Sequence, residues 1–246
     1  MKITVTEDPI VLGRLAGSEA ATLIKQTIAQ KGQANIILAT GTSQFGTLTQ
    51  LLREDIDWSK VIMFHLDEYI GLPESHSASF RKYLKERFLA NVPGLKAYHL
   101  INGEGDAQAE CDRLGGIIQK HPIDVALVGI GENGHLGFND PPADFDTEAA
   151  FIVVRLDEDC RKQQLGEGWF ATLADVPQQA ITMSIKQILR SKQIICSVPD
   201  SRKAAAIKNS LEGPVSNLHP ASILQTHPDC VCFLDKASSA LLRRSA

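Results

Sequence analysis

Residues 123–142 read IDVALVGIGENGHLGFNDPP, a short apolar run followed by a loop of glycine and polar residues. The run IDVALV is brief, rich in Val and Ile and apolar at almost every position, which is typical of a parallel strand covered on both faces. In parallel sheets, ligands bind at the carboxyl ends of the strands. The segment therefore predicts one strand of a parallel sheet with a candidate ligand-binding loop at its end.

Similar apolar runs alternate with amphipathic stretches along the rest of the chain. The further predicted strands are residues 34–39, 60–66, 151–156, 193–198 and 230–234, and the predicted helices are residues 11–30, 44–53, 77–89, 107–119, 202–211 and 236–243. Strand and helix in alternation imply right-handed crossovers. The predicted fold class is α/β: a single domain over residues 1–246, doubly wound, with a mostly parallel, open, Rossmann-like sheet and helices on both faces.

The composition is ordinary for a globular protein and argues against several classes of partner. Of 246 residues, 43% are hydrophobic and 22% charged, and 25 Lys+Arg against 29 Asp+Glu give a net charge of −4. Without a basic block, nucleic acid and anionic membranes are disfavoured as partners. No stretch approaches the ~20 apolar residues of a membrane span, and the N-terminus does not resemble a secretory leader, so we expect a cytoplasmic protein.

The cysteines are odd in number and scattered through apolar or helical contexts. They are Cys111, Cys160, Cys196, Cys230 and Cys232. Reduced, buried thiols are the favoured interpretation. Because Cys230 and Cys232 have too few further ligands near them in the sequence, we predict no metal site.

The first polar strand end follows residues 34–39 and reads Thr40-Gly41-Thr42-Ser43. Small residues before a helix let backbone N–H groups turn toward an anion, so the loop is a candidate phosphate cradle. A tight turn with a Ser or Thr helix cap explains the same residues equally well. A Walker loop is excluded, because no Gly-Lys-Ser/Thr follows.

The second polar strand end carries two adjacent carboxylates, Asp67 and Glu68. A carboxylate at the end of a buried strand is costly unless it is hydrogen-bonded or needed for chemistry. Both residues are therefore candidates for general-base work. The structural alternative is a helix cap or a salt-bridged turn.

The third polar strand end contains the pattern G-x-G-x-x-G at positions 129, 131 and 134, which superficially fits a dinucleotide site. Where the crossover helix should run, the chain instead carries Pro141 and Pro142, which stop helix interiors. Asp157, the candidate ribose ligand, lies 28 positions after Gly129, whereas roughly 20 are expected. These two departures from the dinucleotide pattern argue against a nicotinamide cofactor.

What remains is a glycine-rich loop that carries His135 and Asp140. A lone His is usually structural, but a His flanked by glycines on a binding loop favours a proton carrier.

Together, ATGTS at 39–43, LDEY at 66–69 and GIGENGHLGFND at 129–140 resemble the glucosamine-6-phosphate deaminase (isomerase) family in order and spacing along most of the chain. The third motif is the specific one. The resemblance implies an open α/β sheet, no cofactor and a small-molecule sugar phosphate as partner. The implied reaction converts an amino-sugar 6-phosphate and water into a ketose 6-phosphate and ammonia.

The same resemblance implies roles for individual residues. Asp67 matches the base that moves a proton from C2 to C1. His135 matches the ring-opening acid/base, with Asn133 and Asp140 as its neighbours. The positions that match substrate- or phosphate-binding residues are Thr40, Gly41, Thr42, Ser43, Glu68, Gly131 and Lys203.

Two departures from the family's usual pattern concern these motifs. Asp140 stands where Glu is common, and because the side chain is one methylene shorter, we expect a contact with His135 through water. Gln44 stands where Pro often follows the Ser of the phosphate loop.

A third departure concerns the phosphate. The family's usual Arg before an aromatic pair is not evident, because Glu167 and Gly168 precede Trp169-Phe170. Arg161 and Lys162 are the substitutes that we consider.

Two other functions stay open at this point. A 6-phosphogluconolactonase shares the implied fold and a Gly-His loop, although lactone hydrolysis needs no isomerising base at Asp67. A sugar-phosphate-sensing module is a second alternative, although no basic helix-turn-helix is evident at the N-terminus. The C4 epimer of the substrate is not decided by the sequence. The fold permits monomers and rings, so a homo-oligomer is allowed.

Overall fold

The computed structural model describes residues 1–243, and its strands form two sheets. In chain order the strands are β1 (Lys2–Thr6), β2 (Ala34–Leu38), β3 (Val61–His65), β4 (Asp67–Tyr69), β5 (Ala97–His99), β6 (Val125–Val128), β7 (Phe151–Arg155), β8 (Gln179–Met183), β9 (Gln193–Val198) and β10 (Cys230–Asp235). A seven-stranded sheet has the order β1-β10-β9-β6-β2-β3-β5, and all its neighbours are parallel. A small antiparallel sheet has the order β4-β8-β7.

Five of the six predicted strands lie in the parallel sheet, as expected. Every residue of β2, β3 and β6 is buried, which explains why these strands read as continuous apolar runs. The edge strands β1 and β5 are partly exposed and do not show that pattern. The predicted doubly wound, mostly parallel α/β class is confirmed.

The sixth predicted strand, at residues 151–156, forms, but the expectation that it joins the parallel sheet is wrong. β7 pairs with β8 in antiparallel register. Phe151 is buried, whereas Val153 and Arg155 are exposed. An antiparallel sheet can leave one face in solvent, whereas a parallel sheet is normally covered on both faces.

The α-helices are α1 (Pro9–Lys31), α2 (Phe45–Leu51), α3 (Phe80–Arg87), α4 (Ala107–Ile118), α5 (Glu158–Gly166), α6 (Ile185–Leu189) and α7 (Ala204–Glu212). Five of the six predicted helices are confirmed, and α5 and α6 are additional. Polar residues cap the helix starts: Asp8 accepts from the amides of Ile10 and Val11, and Asp157 accepts from that of Cys160.

The predicted helix at residues 236–243 is wrong, because the chain forms turns there. Asp235 Oδ1 accepts from the amide of Ser238, and Ser238 Oγ accepts from the amide of Asp235. Such side-chain hydrogen bonds offer the backbone an alternative to the helix.

The parallel sheet separates two apolar layers. Ile37 of β2 points into a cluster that includes residues of α4, α6 and α7, whereas Ile36 and Leu38 point into one that includes residues of α1, α2 and α3. A third, aromatic cluster lies beside the small sheet and includes Tyr69 and Phe80. Helices therefore cover both faces of the parallel sheet, as the patterns predict.

The strand order brings four polar loops together. β9, β6, β2 and β3 are consecutive neighbours, so the segments that follow their carboxyl ends meet at one edge of the sheet. Over the described part of the chain, no helix has the length and apolar character needed to cross a bilayer.

Candidate active site

A cleft opens at the carboxyl ends of these four strands. Seven of the residues predicted for the site line it: Thr40, Gly41, Ser43, Asp67, Gly131, His135 and Lys203. Thr42 lines an adjoining depression together with Ser43 and Lys203. Asn133, Asp140 and Glu68 lie behind the cleft wall rather than in it. The fold thus brings three motifs that are distant in sequence into one cavity.

Asp67 is the carboxylate that faces the cleft. It begins β4, opposite Thr182 of β8, and is only 6% exposed. Within residues 1–243 its carboxylate accepts no hydrogen bond, and burial together with the neighbouring Glu68 carboxylate raises its pKa to about 8. A carboxyl group whose pKa lies close to neutral pH is suited to taking up and returning a proton.

Glu68 points to the other face of β4 and is fully buried. Its carboxylate accepts from the amides of Tyr69 (2.9 Å), Phe80 (3.2 Å) and Arg81 (2.7 Å) and from Ser79 Oγ (3.2 Å). Arg81 Nε lies 3.3 Å away and completes an ion pair. The structure does not support the predicted substrate-binding role of Glu68, because these contacts attach β4 to the start of α3.

His135 is held by a polar network behind the cleft. Its amide donates to Asn133 Oδ1 (3.1 Å), and Asn133 Nδ2 donates to both Asp140 Oδ1 (3.0 Å) and Asp157 Oδ2 (2.9 Å). The Asp157 amide donates to Asp140 Oδ2 (2.9 Å). Asn133 and Asp140 are thus the neighbours that the resemblance implies for His135.

His135 Nδ1 lies 3.2 Å from Asp140 Oδ1, so the expected water between the two is not needed. The approach is close but poorly aligned, and Nδ1 makes no hydrogen bond of good geometry. Burial opposes the charged form of Asp140, but the contact with His135 and the donors from Asn133 and Asp157 outweigh it, so the pKa of Asp140 lies below its ordinary value. An ionised Asp140 stabilises a protonated imidazole.

Gly131 is required by the packing of this imidazole. A Cβ atom there would lie 2.2 Å from His135 Nε2 and Cε1, so the ring lies directly against the Gly131 backbone. Gly131 lines the cleft, but its clearest role is to leave space for the ring of His135.

One end of the cleft contains a buried ammonium group. Lys203 is 5% exposed and lies close to the start of α7, and its nearest carboxylate oxygen, Glu132 Oε1, is 3.9 Å away. Burial lowers the pKa of Lys203. Gln44 fixes the facing loop, since its Nε2 donates to Ser43 Oγ (3.2 Å) and to the carbonyl oxygen of Ser197 (3.2 Å). A buried ammonium group beside a small-residue loop favours an anionic ligand.

Neither substitute considered for the missing Arg reaches this end. The Arg161 guanidinium donates to the carbonyl oxygens of Leu173 (2.5 Å) and Val176 (3.0 Å). Lys162 is exposed and pairs with Glu158 at 2.7 Å.

The sequence reasoning missed the wall that α5 contributes to the cleft. Gln163, Gln164 and the following Glu167 line it, as does Phe80 of α3. Gln164 Oε1 accepts from the hydroxyl of Tyr69 at 2.8 Å, which fixes its amide beside the cavity. The sequence does contain a signal for the start of α5, because Asp157 is followed by the acidic residues Glu158 and Asp159, a pattern common at helix starts.

Within the described residues, one group of three side chains has the spacing of a metal site. Ligand atoms of His135, Asp140 and Cys160 lie within 4.8 Å of one another. Metals bind the thiolate, however, and burial raises the pKa of the Cys160 thiol well above its ordinary value. This arrangement therefore favours a protonated thiol packed behind Asp140.

The parallel sheet and the cleft at its carboxyl edge define an α/β enzyme. The chain belongs to the family of glucosamine-6-phosphate isomerases/6-phosphogluconolactonase, whose sequence profile matches residues 7–232.

Relatives within this family cover nearly the whole chain. The chain is 38% identical over 244 residues to a glucosamine-6-phosphate deaminase of Listeria innocua and 37% identical over 243 residues to one of Streptococcus equi, which covers 98% of this chain and 100% of each relative. A solved structure of a monomeric glucosamine-6-phosphate deaminase superposes with a TM-score of 0.88 at 33% identity, covering 98% and 100% of the two chains. The 6-phosphogluconolactonase of Trypanosoma brucei superposes with a TM-score of 0.79 at 18% identity, over 98% of each chain, and shares the fold.

Proposed function

We propose that this protein is an amino-sugar 6-phosphate deaminase that converts glucosamine 6-phosphate and water into fructose 6-phosphate and ammonia. The observation that carries the proposal is the pair Asp67 and His135, which line one cleft with the buried Lys203. The relatives named glucosamine-6-phosphate deaminase support it. Site roles rest on the family resemblance and on this geometry.

In the proposed reaction, His135 opens the sugar ring. Opening a pyranose takes a proton from the anomeric hydroxyl and places one on the ring oxygen. An imidazole has an ordinary pKa near 6.5 and can do both at neutral pH. Asp140, 3.2 Å from Nδ1, stabilises the imidazolium that forms between the two transfers.

Asp67 then moves a proton between adjacent carbons. Its carboxylate takes the C2 proton while O1 takes up a proton from solvent, which leaves an enolamine with a hydroxyl at C1. Asp67 then returns the C2 proton to C1, which gives the iminium form of the ketose. Water adds to C2 of this iminium, and the nitrogen leaves as ammonium, which carries away the extra proton. One short carboxylate on a rigid strand can reach both carbons, and its raised pKa makes it a stronger base once ionised.

The phosphate anchors the far end of the substrate. In the proposed complex it lies between Lys203 and the loop that contains Thr40, Gly41, Thr42 and Ser43. Binding energy gained there holds C1 and C2 against Asp67. Asp67, His135 and solvent supply the proton donors and acceptors of this scheme, so we propose no cofactor and no metal.

The second candidate is lactone hydrolysis, which the shared fold with 6-phosphogluconolactonases keeps in view. Asp67 weighs against it, because hydrolysis of a lactone needs no base that moves a carbon-bound proton. A sensing module is disfavoured by the same residue, since binding alone does not need an unpaired buried carboxylate.

Ammonia release tests the proposal. The purified protein is incubated with glucosamine 6-phosphate, galactosamine 6-phosphate and 6-phosphogluconolactone in parallel. We expect ammonia from glucosamine 6-phosphate and slow lactone loss. Rapid lactone loss without ammonia from either amine would show that the protein is a lactonase. Ammonia from galactosamine 6-phosphate alone would show that the substrate is the other C4 epimer.

We also infer that the protein is a cytoplasmic enzyme and that its chain forms a single domain. All five cysteines are buried and unpaired, which is typical of a reducing compartment. The small antiparallel sheet is joined to the parallel one directly, since Met183 of β8 donates its amide to the carbonyl oxygen of Leu66, between β3 and β4 (2.9 Å). This contact supports a single unit.

A further inference from the structure

The anion-binding end of the cleft also contains a carboxylate that the proposed reaction does not use. Glu167 follows α5 and lines both the cleft and the adjoining depression, in each case with Ser43 and Lys203. Ser43, Lys203 and Glu167 therefore line the same two cavities, so a phosphate held by Ser43 and Lys203 shares this space with Glu167. This is also one of the two positions before the aromatic pair Trp169-Phe170, where the family resemblance implies a cation.

Glu167 is held in place by its neighbours. Gln163 Nε2 donates to its Oε1 (3.0 Å), and Trp169 Nε1 donates to its Oε2 (3.4 Å). Gln163 is itself fixed, because its Oε1 accepts from the amide of Glu132 (2.8 Å). Each carboxylate oxygen of Glu167 keeps an unused lone pair for a further donor.

The charged groups at this end leave little excess positive charge. Arg202 pairs with Asp200 at 2.8 Å and with Glu132 at 3.4 Å, so its charge is already matched. Among residues 1–243, Lys203 is the remaining cation that lines the cavity, which Glu167 lines as well. A doubly charged phosphate adds two negative charges here and has no hydrogen to share with Glu167.

We propose that Glu167 makes this subsite selective for the singly charged form of the phosphate ester. Glu167 accepts the hydrogen of the P–OH group, while Lys203 and the loop with Ser43 hold the charged oxygens. The inference rests on the proposed function for the identity of the ligand and assigns Glu167 as a specificity-determining residue.

This arrangement predicts how binding changes with pH. The second pKa of a phosphate monoester is ≈ 6, so the singly charged form falls about tenfold for each pH unit above that value. The dissociation constant should therefore rise by up to about fiftyfold between pH 6 and pH 8. Glu167→Gln places an amide donor against the phosphate, so the doubly charged form becomes acceptable.

Calorimetric titration with sorbitol 6-phosphate tests this, because the open-chain polyol has neither amine nor carbonyl group and cannot react. We expect the wild-type affinity to fall steeply from pH 6 to pH 8. Glu167→Gln should lose most of this slope and bind at least tenfold more tightly than wild type at pH 8. Glu158→Gln, an exposed substitution on α5, is the matched control and should keep the wild-type slope.

Sorbitol 6-sulfate separates the ligand's titration from that of the protein. A sulfate ester keeps one negative charge and no hydrogen throughout this range, so it responds only to protein groups that face the cavity, such as His135, Asp67, Lys203 and Glu167 itself. We expect a weak wild-type affinity for the sulfate with little pH dependence, and a stronger affinity in Glu167→Gln.

A wild-type affinity for sorbitol 6-phosphate that is absent, constant or tighter toward pH 8 overturns the inference, as does a Glu167→Gln variant with the wild-type slope. These titrations involve no turnover. A protein whose affinity shows the predicted pH dependence but which releases no ammonia therefore contradicts the proposed reaction and still supports the proposed phosphate subsite.

Discussion

The two faces of β4 carry adjacent carboxylates in opposite circumstances. Asp67 faces the cleft without a hydrogen bond from any described residue, whereas Glu68 faces α3 and accepts five hydrogen bonds, including one in its ion pair with Arg81. Burial raises the pKa of both. Burial alone therefore does not mark a functional carboxylate, and what separates the two faces is whether hydrogen bonds satisfy the charge.

The difference has a physical consequence for each residue. Donors that surround Glu68 offset part of the cost of burying it, so that face contributes to stability. No described residue donates to Asp67 in this way, so burying its charge costs stability, as is common at active sites. The comparison predicts that substitutions on the two faces have opposite effects on activity and stability.

The largest expected effect is on turnover. Asp67→Asn preserves shape but cannot accept the C2 proton, so kcat for ammonia release should fall by about 10²–10⁴-fold, the usual contribution of a general base. Asp159→Asn, an exposed substitution on α5, should leave kcat unchanged. An Asp67→Asn enzyme that keeps more than about a tenth of the wild-type rate contradicts the role of Asp67.

The second effect concerns the opposite face. Glu68→Gln leaves the buried Arg81 without its charge partner inside the protein, which should lower the free energy of unfolding by about 3 kcal/mol. At roughly 2–4 °C per kcal/mol, Tm should fall by about 6–12 °C. The matched control is Glu104→Gln, which removes the exposed partner of Arg81 and should change Tm little.

Thermal unfolding followed by circular dichroism measures both variants. Equal losses in Glu68→Gln and Glu104→Gln contradict a structural role for the Glu68 face. So does a Glu68→Gln enzyme that is as stable as wild type but inactive, since that result makes Glu68 catalytic.

The third effect is the pH dependence of turnover. Only the ionised form of Asp67 accepts a proton, and its pKa is raised to about 8. Measured with saturating substrate, kcat should therefore rise with pH, by up to about tenfold per unit below pH 8, and level off above it. A kcat that is constant from pH 6 to pH 8 indicates that another group sets the rate.

The smallest effect is on stability at the cleft face. Folding raises the pKa of Asp67 from 3.8 to about 8, so the folded protein holds this proton more tightly than the unfolded chain does. Its contribution to stability therefore declines as pH rises from about 4 to about 8 and is least favourable above 8. Asp67→Asn should raise Tm by several degrees at pH 8.5 and by little at pH 5. If the Tm difference between Asp67→Asn and wild type is the same at pH 5 and pH 8.5, the proposed cost of burying the Asp67 charge is wrong.

The sequence predicts the parallel sheet well, because strands buried on both faces leave continuous apolar runs such as ANIIL in β2. It predicts less where only one face is buried. In β7 one residue is buried and the others alternate between partly buried and exposed, and the sequence does not predict its partner β8. Antiparallel pairing depends on contacts with residues distant in sequence, which local patterns do not specify.

The same distinction holds for the candidate site. The motifs predict that Asp67 and His135 share a strand-end cleft, because strand ends converge in any parallel sheet, and the family resemblance adds Lys203. They do not predict that Glu68 points away, since that depends on where β4 pairs with β8. Nor do they predict that Glu167 lines the cleft, because α5 reaches the cleft only through tertiary packing.

The position of a label tests the central claim most directly, which is that Asp67 alone carries the proton from C2 to C1. The substrate is glucosamine 6-phosphate with deuterium at C2, and the product is analysed by NMR. Because Asp67 is only 6% exposed, part of the deuterium should reach C1 of the fructose 6-phosphate before it exchanges with water. A ketose product that forms at full speed with only protium at C1 contradicts the account.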